Sequence, residues 1–202
     1  MNILFSTIFY VSPTQGGTER VTYSVASSLK NLGHSVYSMY SSGDDNGDSN
    51  TLFSESYRIP DIKDTTNLSI FLKSRRIDAV IIQGAYVQVK WFRQALKKMP
   101  FCKLLFVHHF EPAWELHEFT FLSYWRNFKN TTTLKSTISM LGHMILYPIE
   151  RRCYERQLPL WYREAYDYAD KVILLTKGFI SQYMEYAGIM DDVKFTIIPN
   201  ML

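Results

Sequence analysis

The chain has 202 residues, of which 47% are hydrophobic and 15% aromatic, and its formal net charge is +3. This composition supports one well-packed domain, leaves little room for two, and excludes disorder as a description of the whole chain. The net charge is too small, and the basic residues are too scattered, to predict a nucleic-acid partner.

The cysteines and the apolar runs indicate a compartment. Cys102 and Cys153 are far apart in the sequence and do not form a metal-type pair, so reduced thiols are expected. No apolar stretch approaches the ~20 residues that cross a bilayer, and the N-terminus lacks the basic start and cleavage site of a signal peptide. We therefore expect a cytoplasmic protein. Peripheral contact with the inner face of a membrane stays open as an alternative.

Short apolar runs alternate with helical patterns through the first half of the chain. The patterns predict strands at 2–7, 34–41, 78–83 and 102–109, helices at 19–32, 65–76 and 87–99, and a loop at 42–50. Near the end, strands at 171–176 and 194–199 enclose a helical stretch at 177–187, which Thr176 is expected to cap. This rhythm predicts a Rossmann-like α/β fold: a doubly wound, mostly parallel sheet with helices on both faces.

A long segment, about 113–168, interrupts this alternation. It has no convincing strand and is rich in aromatic and basic residues, so we expect a helical excursion with breaks near 130–133, Pro148 and Pro159. An insertion of this length is too long for a simple connection. It is expected to cover or flank a site at the carboxyl edge of the sheet.

The stretch after the first predicted strand carries a Gly-Gly pair, Gly16 and Gly17. Glycines tolerate positive φ and close approach of a ligand, and Thr18 can cap a helix whose first amides favour an anion. However, the stretch matches neither G-x-G-x-x-G nor a Walker motif, and Glu19 competes with a phosphate for the same helix end. From these residues alone, the glycine pair is equally well interpreted as a phosphate contact or as an ordinary turn.

A histidine doublet ends the fourth predicted strand. His108, His109 and Glu111 cluster there, followed by Glu115, His117 and Glu118. Adjacent residues of a strand point to opposite faces, so the doublet is a poor metal site, and no metal is expected. A histidine at this position fits a substrate contact, because imidazole can exchange a proton near neutral pH or bond a sugar hydroxyl.

Several of these segments together resemble the N-terminal, acceptor-side domain of family 4 glycosyltransferases, which have the GT-B fold. The resemblance rests on "NILFST…GGTERVTYSVASSLKNLGHSV", on "KLLFVHHFEP" and on "YREAYDYADKVILLTKGFISQYMEYAGIMDDVKFTIIPN". It implies one Rossmann-like domain over 1–202 that ends at an interdomain hinge, with a separate C-terminal domain gripping a nucleotide-sugar donor. It also implies a retaining transfer to a polysaccharide or lipid-linked glycan, in cell-envelope polysaccharide biosynthesis, by the full-length enzyme. This part alone is expected to be inactive.

The resemblance also implies roles for individual residues. Gly16, Gly17 and Thr18 would lie beside the donor diphosphate and sugar, and His109, or else His108, would contact the donor sugar. Three further residues are candidates for acceptor or cleft contacts: Glu111, Glu19 and Arg20. No cofactor is implied beyond the nucleotide-sugar co-substrate, and no carboxylate stands out as a nucleophile. Two alternatives remain: a nucleotide-sugar epimerase of the same architecture, and a non-catalytic α/β binding module.

Overall fold

The computed structural model describes residues 1–14, 16–43, 51–130 and 133–199 and contains a parallel sheet of seven strands. The strands are β1 (Asn2–Phe9), β2 (Ser35–Ser42), β3 (Glu55–Arg58), β4 (Ala79–Gln83), β5 (Lys103–His108), β6 (Lys171–Leu174) and β7 (Phe195–Ile197). Their order across the sheet is β3-β2-β1-β4-β5-β6-β7, and every pairing is parallel. The predicted α/β doubly wound fold is confirmed.

Seven α-helices occur within these described ranges. They are α1 (Gly17–Asn31), α2 (Thr65–Ser74), α3 (Tyr86–Ala95), α4 (Trp114–Glu118), α5 (Phe121–Lys129), α6 (Leu134–Tyr168) and α7 (Gly178–Ala187), and a 3₁₀ turn, Leu96–Lys98, follows α3. The predicted helical excursion is thus α4, α5 and α6. Most of the predicted loop, 44–50, and part of the predicted break, 131–132, lie outside the described residues.

The sheet is buried on both faces, which explains why its strands read as unbroken apolar runs. Leu4 and Val80 belong to the larger core, packed under α2, α3, the second half of α6, and α7. Ile3 and Phe5 belong to the smaller core, which includes Ala26 of α1. Helices therefore cover both faces as predicted, with four helices contributing to the larger core and α1 contributing to the smaller one.

Two features of the chain differ from the prediction. The edge strand β3 was not predicted, because "ESYR" is polar and half exposed and carries no apolar alternation. Helix α6 runs through both Pro148 and Pro159, where breaks were expected. Its second half is fixed by buried residues such as Tyr162 and Ala165, whose packing offsets the hydrogen bonds that the prolines remove.

The two threonines predicted to cap helices do not do so. Helix α1 begins at Gly17 with Gly16 as its N-cap and no side-chain cap, and Thr18 lies inside its first turn. Helix α7 begins after Lys177, again without a side-chain cap. Thr176 contributes only its carbonyl, which accepts a hydrogen bond from a backbone N–H at 3.3 Å.

The strand order creates a crevice at one point of the carboxyl edge. The chain places β2 and β3 on one side of β1 and places β4 and the later strands on the other side. The connections that leave β1 and β4 therefore diverge at the carboxyl edge between these two strands. Ligands of doubly wound sheets bind at such a switch point, beyond the carboxyl ends of the strands. The segments that begin there are the entry to α1, the turn after β4 at Gly84, and His109 after β5.

Candidate functional site

The start of α1 is an open helix end. Gly16 has φ −53° and ψ 178°, and neither it nor Gly17 has the positive φ that the sequence suggested. A Cβ added at Gly17 would meet nothing within 4 Å. Gly17 thus leaves open space beside the first amides of α1, which have no partner within a helix and attract anions.

A cavity of about 400 Å³, here called the loop cavity, brings together most of the predicted site residues. Its lining is Gly17, Thr18, Glu19, Arg20, Val21, His109 and Phe110. The structure thus places Gly17 and His109 in one cavity, although 92 positions of sequence separate them.

His109 is held in place by the end of the neighbouring strand. Its Nε2 lies 2.5 Å from Oε1 of Gln83, and because that oxygen can only accept, Nε2 carries the proton. Burial lowers the pKa of His109 to about 4. At neutral pH the ring is therefore an uncharged hydrogen-bonding group rather than a cation.

Glu19 occupies the space next to the glycine pair. Its Oε2 lies 2.8 Å from the position of a Cβ built on Gly16, so only glycine accommodates this arrangement without moving the carboxylate. A carboxylate near a helix N-terminus is favourable when no other anion is present. A bound phosphate would compete with it for the same helix end, and Arg20 follows directly in the same cavity.

A second cavity, here called the aromatic cavity, opens beside the first and has a volume of about 510 Å³. Its lining combines aromatic rings with two carboxylates: Ile8, Gly84, Ala85, Tyr86, Val87, His108, Phe110, Trp114, Glu115, Glu118, Phe119, Tyr154 and Trp161. Tyr86 stacks on Trp161, with ring centroids 5.8 Å apart, and Phe119 stacks on Tyr154 at 4.8 Å. Flat apolar walls with a few polar groups suit a ring-shaped ligand that carries hydroxyls.

His108 and Glu115 meet at the hydroxyl of Tyr162. That hydroxyl donates to Glu115, with Oε2 at 2.8 Å, and lies 3.2 Å from Nε2 of His108. It also accepts from the N–H of Ala113, at 3.2 Å. Ala113 has a φ of 67°, an uncommon conformation for alanine, directly before α4. The strained turn thus sets Glu115 into the cavity wall.

The acid–base properties of this group follow from burial. Burial, with a smaller contribution from His109, lowers the pKa of His108 to about 3. Burial raises the pKa of Glu115, and its hydrogen bonds partly oppose that effect. Burial and the nearby Glu115 also raise the pKa of Tyr162. At neutral pH His108 is uncharged, and Glu115 is a better proton acceptor than an exposed glutamate.

The histidine doublet therefore divides between two cavities: His109 lines the loop cavity and His108 the aromatic cavity. Glu111 lines neither of them. It is exposed, and Oε1 accepts from Nε2 of Gln182 on α7, at 3.2 Å. Of the predicted site residues, Gly16 also lines neither cavity, but it directly precedes Gly17 of the loop cavity.

Sequence reasoning missed Gln83, Gly84 and Tyr162, and it named Glu115 only as a neighbour of the histidine doublet, without a role. A signal existed for the first two, because "IIQG" ends a buried strand with a polar residue and a glycine, just as "FVHH" ends the next. Gly84 has a φ of 70°, which favours glycine. Tyr162 carried no signal, because it lies in the middle of a long helix.

Two negative findings apply to the part of the chain that the structure describes. No three His, Cys, Asp or Glu side chains there stand close enough together to hold a metal ion. No helix in the same ranges is long and apolar enough to cross a membrane.

Comparison with known proteins finds likeness only in structure. No protein-family model matches the sequence, and no curated protein matches it. Among solved structures, a sialyltransferase from Photobacterium damselae, residues 113–497 corresponding to the GT-B domain, has a TM-score of 0.45 and 11% identity. That match covers 98% of this chain and 53% of the sialyltransferase.

Sugar-nucleotide enzymes of other classes are also similar. A dTDP-glucose 4,6-dehydratase from Bacillus anthracis, in complex with NAD, has a TM-score of 0.41 and 14% identity over 86% of this chain and 53% of that one. A UDP-GlcNAc 2-epimerase from Neisseria meningitidis, bound to UDP-GlcNAc, has a TM-score of 0.36 and 9% identity over 100% of this chain and 73% of that one. The chain spans about half the length of the sialyltransferase and the dehydratase. These likenesses are of the Rossmann-like fold alone.

Proposed function

We propose that this chain is the acceptor-side domain of a retaining GT-B glycosyltransferase of the family 4 type. The full-length enzyme would transfer a sugar from a nucleotide-sugar to a polysaccharide or lipid-linked glycan. A C-terminal domain would hold most of the nucleotide, and the reaction would use the nucleotide-sugar as co-substrate without a cofactor. The observation that carries the proposal is the pairing of the two cavities at the switch point: an open helix end facing His109, beside an aromatic cavity with carboxylates.

The loop cavity suits the reacting end of the nucleotide-sugar. The amides at the start of α1, with Arg20, offer positive charge to the diphosphate, which gains charge as the glycosidic bond breaks. Neutral His109 offers a hydrogen bond to a hydroxyl of the transferred sugar. Glu19 would give up its position near Gly16 when the diphosphate binds.

The aromatic cavity suits the acceptor. Its rings provide stacking surfaces for a sugar, and Glu115 and Glu118 accept hydrogen bonds from hydroxyls. The acceptor oxygen would bond to the anomeric carbon as the bond to the diphosphate breaks. The hydroxyl proton would pass to the departing phosphate oxygen, on the same face of the sugar, so the anomeric configuration is retained.

A specific feature of the loop favours transfer over a dinucleotide-dependent reaction. Dinucleotide-binding turns use glycines spaced G-x-G-x-x-G, the last of which permits close helix–strand packing. The segment "TQGGTERV" has two adjacent glycines and no third one, so it cannot match that pattern. An epimerase of the GT-B architecture, which also uses a nucleotide-sugar, is the second candidate, and the products of the reaction distinguish it.

The test is a nucleotide-sugar screen on the full-length enzyme with glycan and lipid-linked acceptors. We expect a glycosylated acceptor with retained configuration and a large loss of turnover in His109→Ala. His34→Ala is the matched control, because His34 precedes β2 at the opposite edge of the sheet. An epimerised nucleotide-sugar without transfer would support the epimerase instead. Normal turnover in His109→Ala would overturn the assigned site.

A further inference from the structure

Helix α5 and the first half of α6 form an exposed hairpin, which we define as α5 together with residues 133–150. One side of α6 holds α5 in place. The hydroxyl of Tyr124 donates to Glu150 at 2.9 Å, and Tyr124 also packs against Tyr147, with ring centroids 5.7 Å apart. Nδ1 of His143 lies 2.8 Å from the same carboxylate. This side of α6 is therefore used within the chain itself.

The opposite side of the first half of α6 is aliphatic and exposed. Its residues, here called the aliphatic stripe, are Leu134, Ile138, Leu141, Ile145 and Ile149. A spacing of three or four residues keeps them on one helical face, away from Tyr147. Leu134 and Ile145 are 77% and 79% exposed. The largest apolar patch of a typical monomer covers about 300–600 Å², and this stripe reaches the upper end of that range, as interaction sites do.

Gly142 lies on the same helical face, in the middle of the stripe. Glycine weakens the interior of a helix, and its usual advantage is that another group can come close to the backbone. A Cβ built on Gly142 meets nothing within 4 Å among the described residues, so no such group comes from the described part of the chain. Gly142 therefore leaves a gap in the stripe that a side chain of another molecule can fill.

The stripe is symmetric about its own midpoint, which falls between Leu141 and Gly142. Positions at equal distances on either side of this midpoint are matched aliphatic pairs, namely Ile138 with Ile145 and Leu134 with Ile149. A two-fold axis at the midpoint would set two copies of α6 antiparallel, with the members of each pair opposite each other and Leu141 opposite Gly142. Such an interface is isologous, because one surface supplies both sides of the contact.

The charges at the ends of the segment agree with an antiparallel pair. Between residues 134 and 150 the sequence has one Lys or Arg, which is Lys135, and one Asp or Glu, which is Glu150. In the antiparallel pair, Lys135 of one copy comes level with Glu150 of the other to within about 3 Å along the helix axes. A parallel pair would set like charges level instead. Charge complementarity thus favours a second copy in one orientation.

The available area suffices for a dimer. When the stripes of two copies cover each other, roughly 1,000 Å² of surface leaves water, which is about the least that a specific interface buries. Leu146 lies at the edge of the stripe and is 49% exposed, so it enlarges the contact. The absence of a side chain at Gly142 lets the two helices approach closely.

We propose that the aliphatic stripe docks on the same stripe of a second copy of this chain, antiparallel and about a two-fold axis. Ile138 of one copy packs on Ile145 of the other, and Leu141 fills the gap at Gly142. The stripe lines neither the loop cavity nor the aromatic cavity. The pairing therefore does not rest on the proposed function, and its loss should leave turnover unchanged.

The first test is sedimentation velocity of the full-length protein over a concentration series, where we expect a reversible dimer. Ile138→Gln with Ile145→Gln should raise the dimer Kd by roughly a hundredfold, because each dimer loses four buried aliphatic side chains. Leu32→Gln with Met190→Gln is the matched control, since those residues are 73% and 93% exposed outside the hairpin. The Kd of this control should equal that of the wild type.

A second test measures the register of the contact by disulfide cross-linking. The background is Cys153→Ser, because Cys153 is a free and exposed cysteine. Ile138→Cys with Ile145→Cys should then form a disulfide between copies under mild oxidation. Ile138→Cys alone is the control, since its two copies would lie about 10 Å apart along the helix axes, beyond the reach of a disulfide.

Three outcomes would refute the pairing. They are a wild-type protein that stays monomeric at every concentration, a stripe variant that dimerises as tightly as the wild type, and a disulfide that forms as fast in Ile138→Cys alone as in the double variant. A stripe covered by another domain, by a bilayer or by a different protein would give the first or the second of these results.

Discussion

The loop cavity and the aromatic cavity are neighbours with different kinds of lining. The loop cavity is lined by backbone at a helix end and by the charged side chains of Glu19 and Arg20. The aromatic cavity is lined mainly by rings, and its polar groups include the buried His108 and the half-buried Glu115. The two share Phe110, and one residue step separates His108, the last residue of β5, from His109.

This comparison shows how one strand end can supply side chains to two cavities. Successive side chains of a strand point to opposite faces, so a doublet of the same residue type supplies one group to each cavity. Both histidines are neutral at neutral pH because both are buried. What distinguishes them is the partner: Gln83 for His109 and Tyr162 for His108.

The largest expected effect lies on the loop side. Gly17→Val should lower kcat/KM for the nucleotide-sugar by on the order of 10²-fold, because the added methyl groups occupy the space that the diphosphate would enter. Gly142→Val is the matched control, since an added Cβ there also meets nothing within 4 Å. Steady-state kinetics with both substrates measure kcat/KM for the two variants and the wild type. Equal losses in the two variants would mean that helix propensity, rather than the cavity, is responsible.

A smaller effect is expected on the aromatic side. Glu115→Gln keeps the shape and a hydrogen-bond acceptor for Tyr162 but removes the charge that, in the proposed function, holds acceptor hydroxyls, so the KM for acceptor should rise about tenfold. Hydrolysis of the nucleotide-sugar without acceptor should be unchanged. Glu185→Gln, at an exposed position of α7, serves as control. A fall in hydrolysis alongside transfer would place Glu115 on the nucleotide-sugar side and abolish the proposed division.

The smallest expected effect is a pH dependence of stability. The folded pKa of His108 is about 3, below the usual 6.5, so the unfolded chain binds more protons as pH falls below 6.5. The stabilisation is therefore complete above that pH and is lost on acidification. Between pH 7 and 5.5 the free energy of unfolding should drop by about 1 kcal/mol from His108 alone.

Denaturant titrations of wild type and His108→Phe at the two pH values measure this contribution. The variant should show the smaller drop, because His109 still titrates but His108 does not. Glu115 is present in both proteins, so its own titration largely cancels in the difference. Identical drops in the two proteins would show that His108 is protonated in the fold as easily as in the unfolded chain.

The sequence predicted the sheet well because its strands are buried on both faces and its helices are amphipathic. It also placed Gly17 and His109 at one edge, since the carboxyl ends of parallel strands meet there. It did not predict the helical continuity through Pro148, which depends on packing between α5 and α6. It could not find Tyr162, because which face of a long helix meets a strand end depends on tertiary packing.

Helix α6 has a mechanical consequence. Its 35 residues form one rod of about 50 Å, with the exposed Leu134 and Ile138 near one end and Tyr162 near the other. A load on the exposed end is transmitted along the rod to the hydroxyl that holds Glu115, unless the helix bends where Pro148 and Pro159 have removed hydrogen bonds. The two prolines thus determine how stiffly α6 connects the protein surface to the wall of the aromatic cavity.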